Sequence, residues 1–508
     1  MNEHKFIKCI RVCMIDNLSK YLSNHLSQYL GDCISQFHHY WHDPIRPRIQ
    51  YSDLFTMITL CKDTKRLFMP ILIQSCSFLY SGINKMSVLN RNHIRCLRID
   101  TVDELNDGLI STIQTKIRCL EIVNIHRWIE MLHFSSLVPK LELLRMNVHS
   151  YKITKNIYPQ TLKYLILDDL HQKLTKSMLP DSLLYLRFSY SYRYHELLER
   201  DVLPIDLKEL VLDGNFNTKL KINVLPEQLV KLKFGPHYEQ PIEPDVLPSS
   251  LLQLTFGYYS PFNHPFDLGT LPINLVELIF DQHSSFNQSL GPGILPNSLK
   301  TLILGRSFNQ SLTLPPNLEY LTLGDSFNQP ISFESTNLIE LETGIDFNQP
   351  LSRAPIELTP GSEGRDPTEL TLCQEGNLPR TLKKLKLGEK WNHPLESSLP
   401  DNLEYIEFGK YFNQKLIPGI LPRKNLRDLI FGYSFNQPIT AGILPVTLRR
   451  LVFGFTFNQP FVPKIITPNI HSLTFGPGFT ELLTQEMLPK SLTHLFGYNN
   501  VWDIRMGF

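Results

Sequence analysis

The sequence predicts a repeat solenoid, mainly β, built of leucine-rich-type coils whose parallel strands stack one per coil. Three observations predict it. A phrase of the form LxxLx(F/L)G recurs every ~22 residues, a period that marks one supersecondary unit repeated along the chain. Within each phrase two apolar residues stand two apart, as do Leu429 and Phe431, which puts both on one face of a strand. One unit has too few apolar side chains to bury itself, and stacking supplies the second layer at ~1.5–3 kcal/mol per large side chain buried.

The first apolar residue of the phrase can be followed through Leu207, Leu229, Leu251, Leu275, Leu299, Leu318 and Leu338. It resumes, after twice the usual interval, at Leu382, Leu403, Leu426, Leu448, Ile470 and Leu492. Upstream, Ile94–Ile99, Ile117–Ile122, Leu141–Met146, Leu162–Leu167 and Leu183–Phe188 carry the strand phrase alone. Counting one damaged copy in the long interval, roughly nineteen coils are expected. Within the coil from Leu426, Ile430 points away from Leu429 and Phe431. Gly432 stands where the chain must turn and is expected at positive φ. Phe435 returns inward, and Leu444 and Pro445 close the coil, since proline cannot continue a ladder.

An asparagine follows the phenylalanine position in most coils: Asn217, Asn263, Asn287, Asn309, Asn328, Asn348, Asn392, Asn413, Asn436 and Asn458. A buried amide must be satisfied, so these form an expected structural ladder bonding neighbouring coils. Tyr238-Glu239 and Phe479-Thr480 depart from the pattern and are expected to interrupt it.

Phe-Asn-Gln-Pro at 327–330, 347–350, 435–438 and 457–460, with Phe-Asn-Gln-Ser at 286–289 and 308–311, resembles the FNIP repeat. That family is a leucine-rich-repeat relative found in amoebae and in large DNA viruses that infect them. The resemblance implies a ~22-residue coil over roughly Leu207–Thr480.

The regions expected are a helical cap over 1–90, divergent coils over 91–206, FNIP-type coils over 207–353 and 378–497, and a C-terminal cap over 498–508. Between the two FNIP blocks, 354–377 is rich in Pro, Gly, Ser, Glu and Asp and reads as an irregular loop or degenerate coil, with Leu370 and Leu372 as its strand remnant. In the first region Leu18, Leu22, Leu26, Leu30 and Phe37 recur at helical spacing until Pro44 and Pro47 break the pattern. Ser52–Phe68, SDLFTMITLCKDTKRLF, has a second helical stripe and is similar to the latter half of an F-box. That similarity implies contact with the Skp-type adaptor of a cullin–RING ubiquitin ligase through Asp53, Leu54, Leu60, Cys61 and Lys62. A plain cap over the open end of the solenoid is the other reading of these helices.

Net charge is +1 over 508 residues, which gives no global field to favour nucleic acid. Lys383, Lys384, Lys386 and Lys390 are expected to be a solvated coil surface. Of the eight cysteines all but Cys373 lie near the N-terminus, and none forms a CxxC pair. Met1–Leu18 is too charged for a signal peptide, so reduced thiols and a cytoplasmic protein, in a host cytoplasm if viral, are expected. The apolar run Leu67–Tyr80 contains Pro70 and is too short to span a bilayer, so no membrane association is expected.

There is no Walker A motif, no dinucleotide fingerprint and no GxSxG elbow. His38 and His42 lack the intervening Glu of HExxH. The sequence therefore predicts neither enzyme, metal nor cofactor. Function is expected on the outward strand face, where identity varies while the scaffold does not: Lys233, Thr255, Ile279, Ile303, Thr322, Glu342, Lys386, Glu407, Ile430, Val452 and Thr474. Ile279 beside Ile303, and Ile430 beside Val452, are candidate apolar anchors for a protein target. Together with the F-box similarity this implies a protein-interaction scaffold serving as the substrate-recognition subunit of a ubiquitin ligase. The alternative is a stand-alone binding or structural solenoid with no such link.

Overall fold

A computed structural model describes residues 116–122, 133–149, 153–189, 198–333, 336–351, 378–460 and 465–497, and the backbone of 96–99. The expected N-terminal helices, the 354–377 loop and the C-terminal cap lie outside the described residues. The chain divides into two units, Met1–Asn124 and Ile125–Phe508. In the first, β1 (Cys96–Ile99) and β2 (Cys119–Ile122) pair in parallel, and Cys119 is buried.

Among the described residues of the second unit, one helical turn, α1 (Phe134–Leu137), precedes the strands, and a single 3-10 turn at Gln485–Met487 precedes the last of them. These are β3 (Leu143–Asn147), β4 (Tyr164–Asp168), β5 (Tyr185–Ser189), β6 (Glu209–Leu212), β7 (Lys231–Phe234), β8 (Gln253–Phe256) and β9 (Glu277–Phe280). Then come β10 (Thr301–Ile303), β11 (Tyr320–Thr322), β12 (Glu340–Glu342), β13 (Lys384–Lys386) and β14 (Tyr405–Glu407). β15 (Asp428–Ile430), β16 (Arg450–Val452), β17 (Ser472–Thr474) and β18 (His494–Phe496) complete the series. From β3 to β18 each pairs in parallel with its neighbours in chain order, so this unit is a parallel β-solenoid of the expected leucine-rich type.

In-register pairing sets like residues over like. Leu278, Leu302, Leu321, Leu341 and Leu385 form one buried column of partners. The next inward column, Phe408, Phe431, Phe453 and Phe475, is also buried, with successive rings 5.5–5.6 Å apart and nearly parallel. A third column brings the repeat phenylalanines together: Phe286 and Phe308 stack at 6.0 Å and 3°, Phe412 and Phe435 at 5.9 Å and 3°. In the β13 coil Trp391 takes that place, fully buried, and its indole N–H donates to the Gln349 carbonyl at 2.9 Å.

Three expectations are corrected. First, β12 pairs directly with β13, Leu341 opposite Leu385, so no further strand lies between these two where a nineteenth coil was expected. The described residues hold eighteen strands, β1 to β18. Glu340, Glu342 and Asp346 pair with Lys384, Lys386 and Lys390 at 3.1, 2.7 and 2.7 Å, which matches the two coils to each other. Second, Gly432 does not have positive φ. Its place is fixed by close approach: a Cβ there would land on the backbone carbonyl of Gly409, and the same holds for Gly454 against Gly432 and Gly476 against Gly454.

Third, the asparagine ladder exists, but at a half-buried to exposed rim, with backbone amides as donors. The side-chain Oδ1 of Asn413 accepts the backbone N–H of Asn436 at 2.9 Å, and Asn436 accepts that of Asn458 at 2.9 Å. The following glutamine adds a second donor, as Gln437 Nε2 does to Asn413 Oδ1 at 3.1 Å. One oxygen with two lone pairs thus satisfies an amide and a side chain of the next coil. Thr480 does not break the series, since its N–H bonds Asn458 Oδ1 at 2.8 Å. Glu239 likewise donates its N–H to Asn217 Oδ1 at 3.0 Å, and its carboxylate accepts the Asn217 side-chain amide at 2.9 Å.

Candidate functional site

In a strand the side chain between two inward residues points out, so every coil presents two outward positions. Partner registers bring Ile279 against Ile303 and Ile430 against Val452. They bring Lys233 against Thr255, Thr322 against Glu342, Lys386 against Glu407, and Val452 against Thr474. All eleven expected face residues are therefore on one sheet face, half-buried except for exposed Lys233.

The chemistry of this face changes along the stack. Across β12 and β13 it is an ionic block in which Lys384 and Lys386 are each bonded to a glutamate. Burial disfavours the charge on Lys386, but the Glu342 hydrogen bond and the nearby Glu407 outweigh it and raise its pKa. The basic cluster is thus partly neutralised. At β14 the Tyr405 hydroxyl donates to Glu407 at 2.5 Å, and burial and that carboxylate push its pKa up. Burial raises Asp428 above the usual carboxylate range, against the pull of Arg450 and Arg427.

At β4–β6 the face mixes apolar and charged residues. Ile166, Tyr185 and Val211 are buried together, with Tyr164 packed against them. Burial pushes the Tyr185 phenol up to about 12. Burial likewise raises Glu209, opposed by Lys231 and Lys233. Arg145 stands opposite Ile166 and Arg187 between Ile166 and Val211, and they bond Asp168 and Asp213 at 2.8 and 2.6 Å. Apolar and charged side chains thus alternate along this face.

The described repeats match the FNIP Repeat family model over 149–191, 194–236, 216–259, 262–307, 308–335, 373–411, 391–424, 412–456 and 457–498, more than half of the chain. The chain belongs to the FNIP-repeat family. The FNIP match begins at residue 149, well upstream of the Leu207 at which the Phe-Asn phrase becomes readable. Among solved structures the FNIP chain is similar to CroV588, described as a novel circular leucine-rich-repeat protein, at 31% identity and a TM-score of 0.63. That likeness covers 80% of this chain and 60% of CroV588, so the FNIP chain spans less than two thirds of that protein. YopM from Yersinia enterocolitica is similar at 15% identity and a TM-score of 0.44, over 92% of this chain and 99% of that one. No curated protein matches. Among the described residues no helix is long and apolar enough to cross a membrane.

The adaptor-type residues Asp53, Leu54, Leu60, Cys61 and Lys62, like His38 and His42, lie outside the described residues. One feature of the FNIP coil escaped the sequence reading. The residue before the first leucine carries a hydroxyl in many coils, and it bonds the carbonyl of the preceding coil: Ser298 to Leu275, Thr381 to Leu338, Thr447 to Leu426, Ser491 to Ile470, at 2.6–2.8 Å. The signal was present as Ser or Thr before that leucine.

Proposed function

We propose that the FNIP solenoid is a protein-binding scaffold whose outward strand face receives the target. The observation that carries this reading is a constant ladder presenting varied side chains at fixed positions. Ile279, Ile303, Ile430 and Val452 would serve as apolar anchors, with the Glu342–Lys386 block setting orientation. Burying an apolar anchor among charged pairs gives affinity from the first and register from the second. Proximity labelling with the wild type and with Ile303→Glu plus Ile430→Glu tests it. The variant is expected to keep its unfolding midpoint and lose its specific neighbours; an unchanged set of neighbours defeats the reading.

The finer reading is that of a substrate-recognition subunit of a cullin–RING ligase, and it rests on the similarity of Ser52–Phe68 to an F-box. The full chain is expected to retain a purified Skp-type adaptor, and Leu54→Asp plus Leu60→Asp to release it. Equal retention by both, or by neither, leaves a scaffold without a ligase link.

A further inference from the structure

We propose a divalent transition-metal site, zinc by its donor set, formed by His149, Asp169 and His171 between two neighbouring coils. His149 follows β3, and Asp169 and His171 follow β4, so the stack brings them together. His149 Nδ1 lies 2.8 Å from Asp169 Oδ2 and 3.0 Å from His171 Nε2. His171 Nε2 lies 3.0 Å from Asp169 Oδ1. All three donor atoms fall within 4.8 Å of one another.

Two ring nitrogens and a carboxylate converge here, and each ring nitrogen can present a lone pair to a cation when its imidazole is neutral. Asp169 Oδ1 is buried and, despite its distance from His171, has no hydrogen bond of acceptable angle. A cation at the centre of the triangle accepts from all three. The adjacent carboxylate does not compete, because Asp168 is bonded to Arg145 at 2.8 Å.

Two imidazoles and one carboxylate suit Zn²⁺, leaving a fourth position for water or an incoming donor. Bonds of ~2.0–2.1 Å in a tetrahedron set ligand atoms ~3.3 Å apart, so the rings need part by only a few tenths of an ångström. The Asn147 side chain accepts the His149 N–H at 3.0 Å and helps to hold that turn. Bound metal ties one coil to the next outside the hydrogen-bonded ladder.

The test is zinc titration of the full chain by calorimetry, with bound metal counted by mass spectrometry. Cysteines elsewhere also bind zinc, so the readout is a difference. His149→Ala plus Asp169→Asn plus His171→Gln is expected to bind one fewer zinc per chain and to lose a zinc-induced rise in the unfolding midpoint. Asp169→Asn alone keeps a side chain that tolerates the left-handed backbone observed there (φ 59°). It is expected to weaken that one site by more than ~10-fold, the scale that even outer-shell losses reach. Cobalt loaded at the lost site should show tetrahedral d–d bands without thiolate charge transfer. Equal stoichiometry in wild type and triple variant overturns the proposal. If the triple variant does not fold, an unaltered affinity profile in Asp169→Asn overturns it instead.

Discussion

The coils of β3–β9 and those of β10–β17 share their inner leucines but leave the strand differently. In the first group the strands are four or five residues long, and the position after the second inward residue holds Asn147, Asp168, Ser189, Asp213, Gly235, Gly257 or Asp281. In the second group the strands are three residues long and that position is glycine from Gly305 to Gly476. The first group continues the ladder one rung further; Asp281 N–H, for instance, donates to Phe256 O at 3.0 Å. The second group ends the ladder earlier and lets backbone lie on backbone. The same coil period therefore admits two exits, one hydrogen-bonded and open to side chains except at Gly235 and Gly257, the other close-packed and closed to them.

The largest expected effect breaks this comparison outright. Gly432→Ala has no room for its methyl and only backbone to displace, so a loss above ~4 kcal/mol or failure to fold is expected in denaturant titration. The equivalent Asp281→Ala should stay within ~0.5 kcal/mol of wild type, because a side chain already fits there. Equal effects at the two positions would erase the distinction.

Next in size is the aromatic column that both groups share. Phe435→Ala empties a fully buried site between Phe412, Phe431 and Phe457, at an expected ~3–5 kcal/mol. In the first group Tyr238 fills the same column with a buried hydroxyl that has no hydrogen-bond partner, and burial raises its pKa. Tyr238→Phe is accordingly expected to raise the unfolding midpoint.

Smaller still is the rim. Asn436→Ala strands the Asn458 N–H and the Gln459 amide at a loss of ~1–2 kcal/mol, whereas Asn436→Asp keeps an acceptor and should cost less. The smallest effect separates the groups by pH. Burial raises the Glu209 pKa in the folded chain, so its ionised form is disfavoured above that pKa and the penalty vanishes below the unfolded value near ~4.3. Glu209→Gln should therefore melt higher than wild type at neutral pH, and the gap should close as pH falls through that window.

How much of this was legible varies by residue. Leu429, Phe431, Phe435 and Asn436 announced themselves because each coil repeats the same local demand, to bury an apolar pair and satisfy a rim amide. Gly432 was visible but misread, since its reason lies in the carbonyl of Gly409 and not in its own dihedrals. The pairing of Glu340 with Lys384 could not be read, because 44 positions separate them and that interval is long enough for another coil.

The sequence alone determined the period, the inward columns and the family, since these follow from spacing and side-chain type within one coil. Only the tertiary structure decided which coil lies beside which. That choice created the glycine contacts, the ion pairs across β12 and β13, and the meeting of His149 with Asp169 and His171. Contacts between coils depend on register at ångström precision, and a register is a property of two segments together.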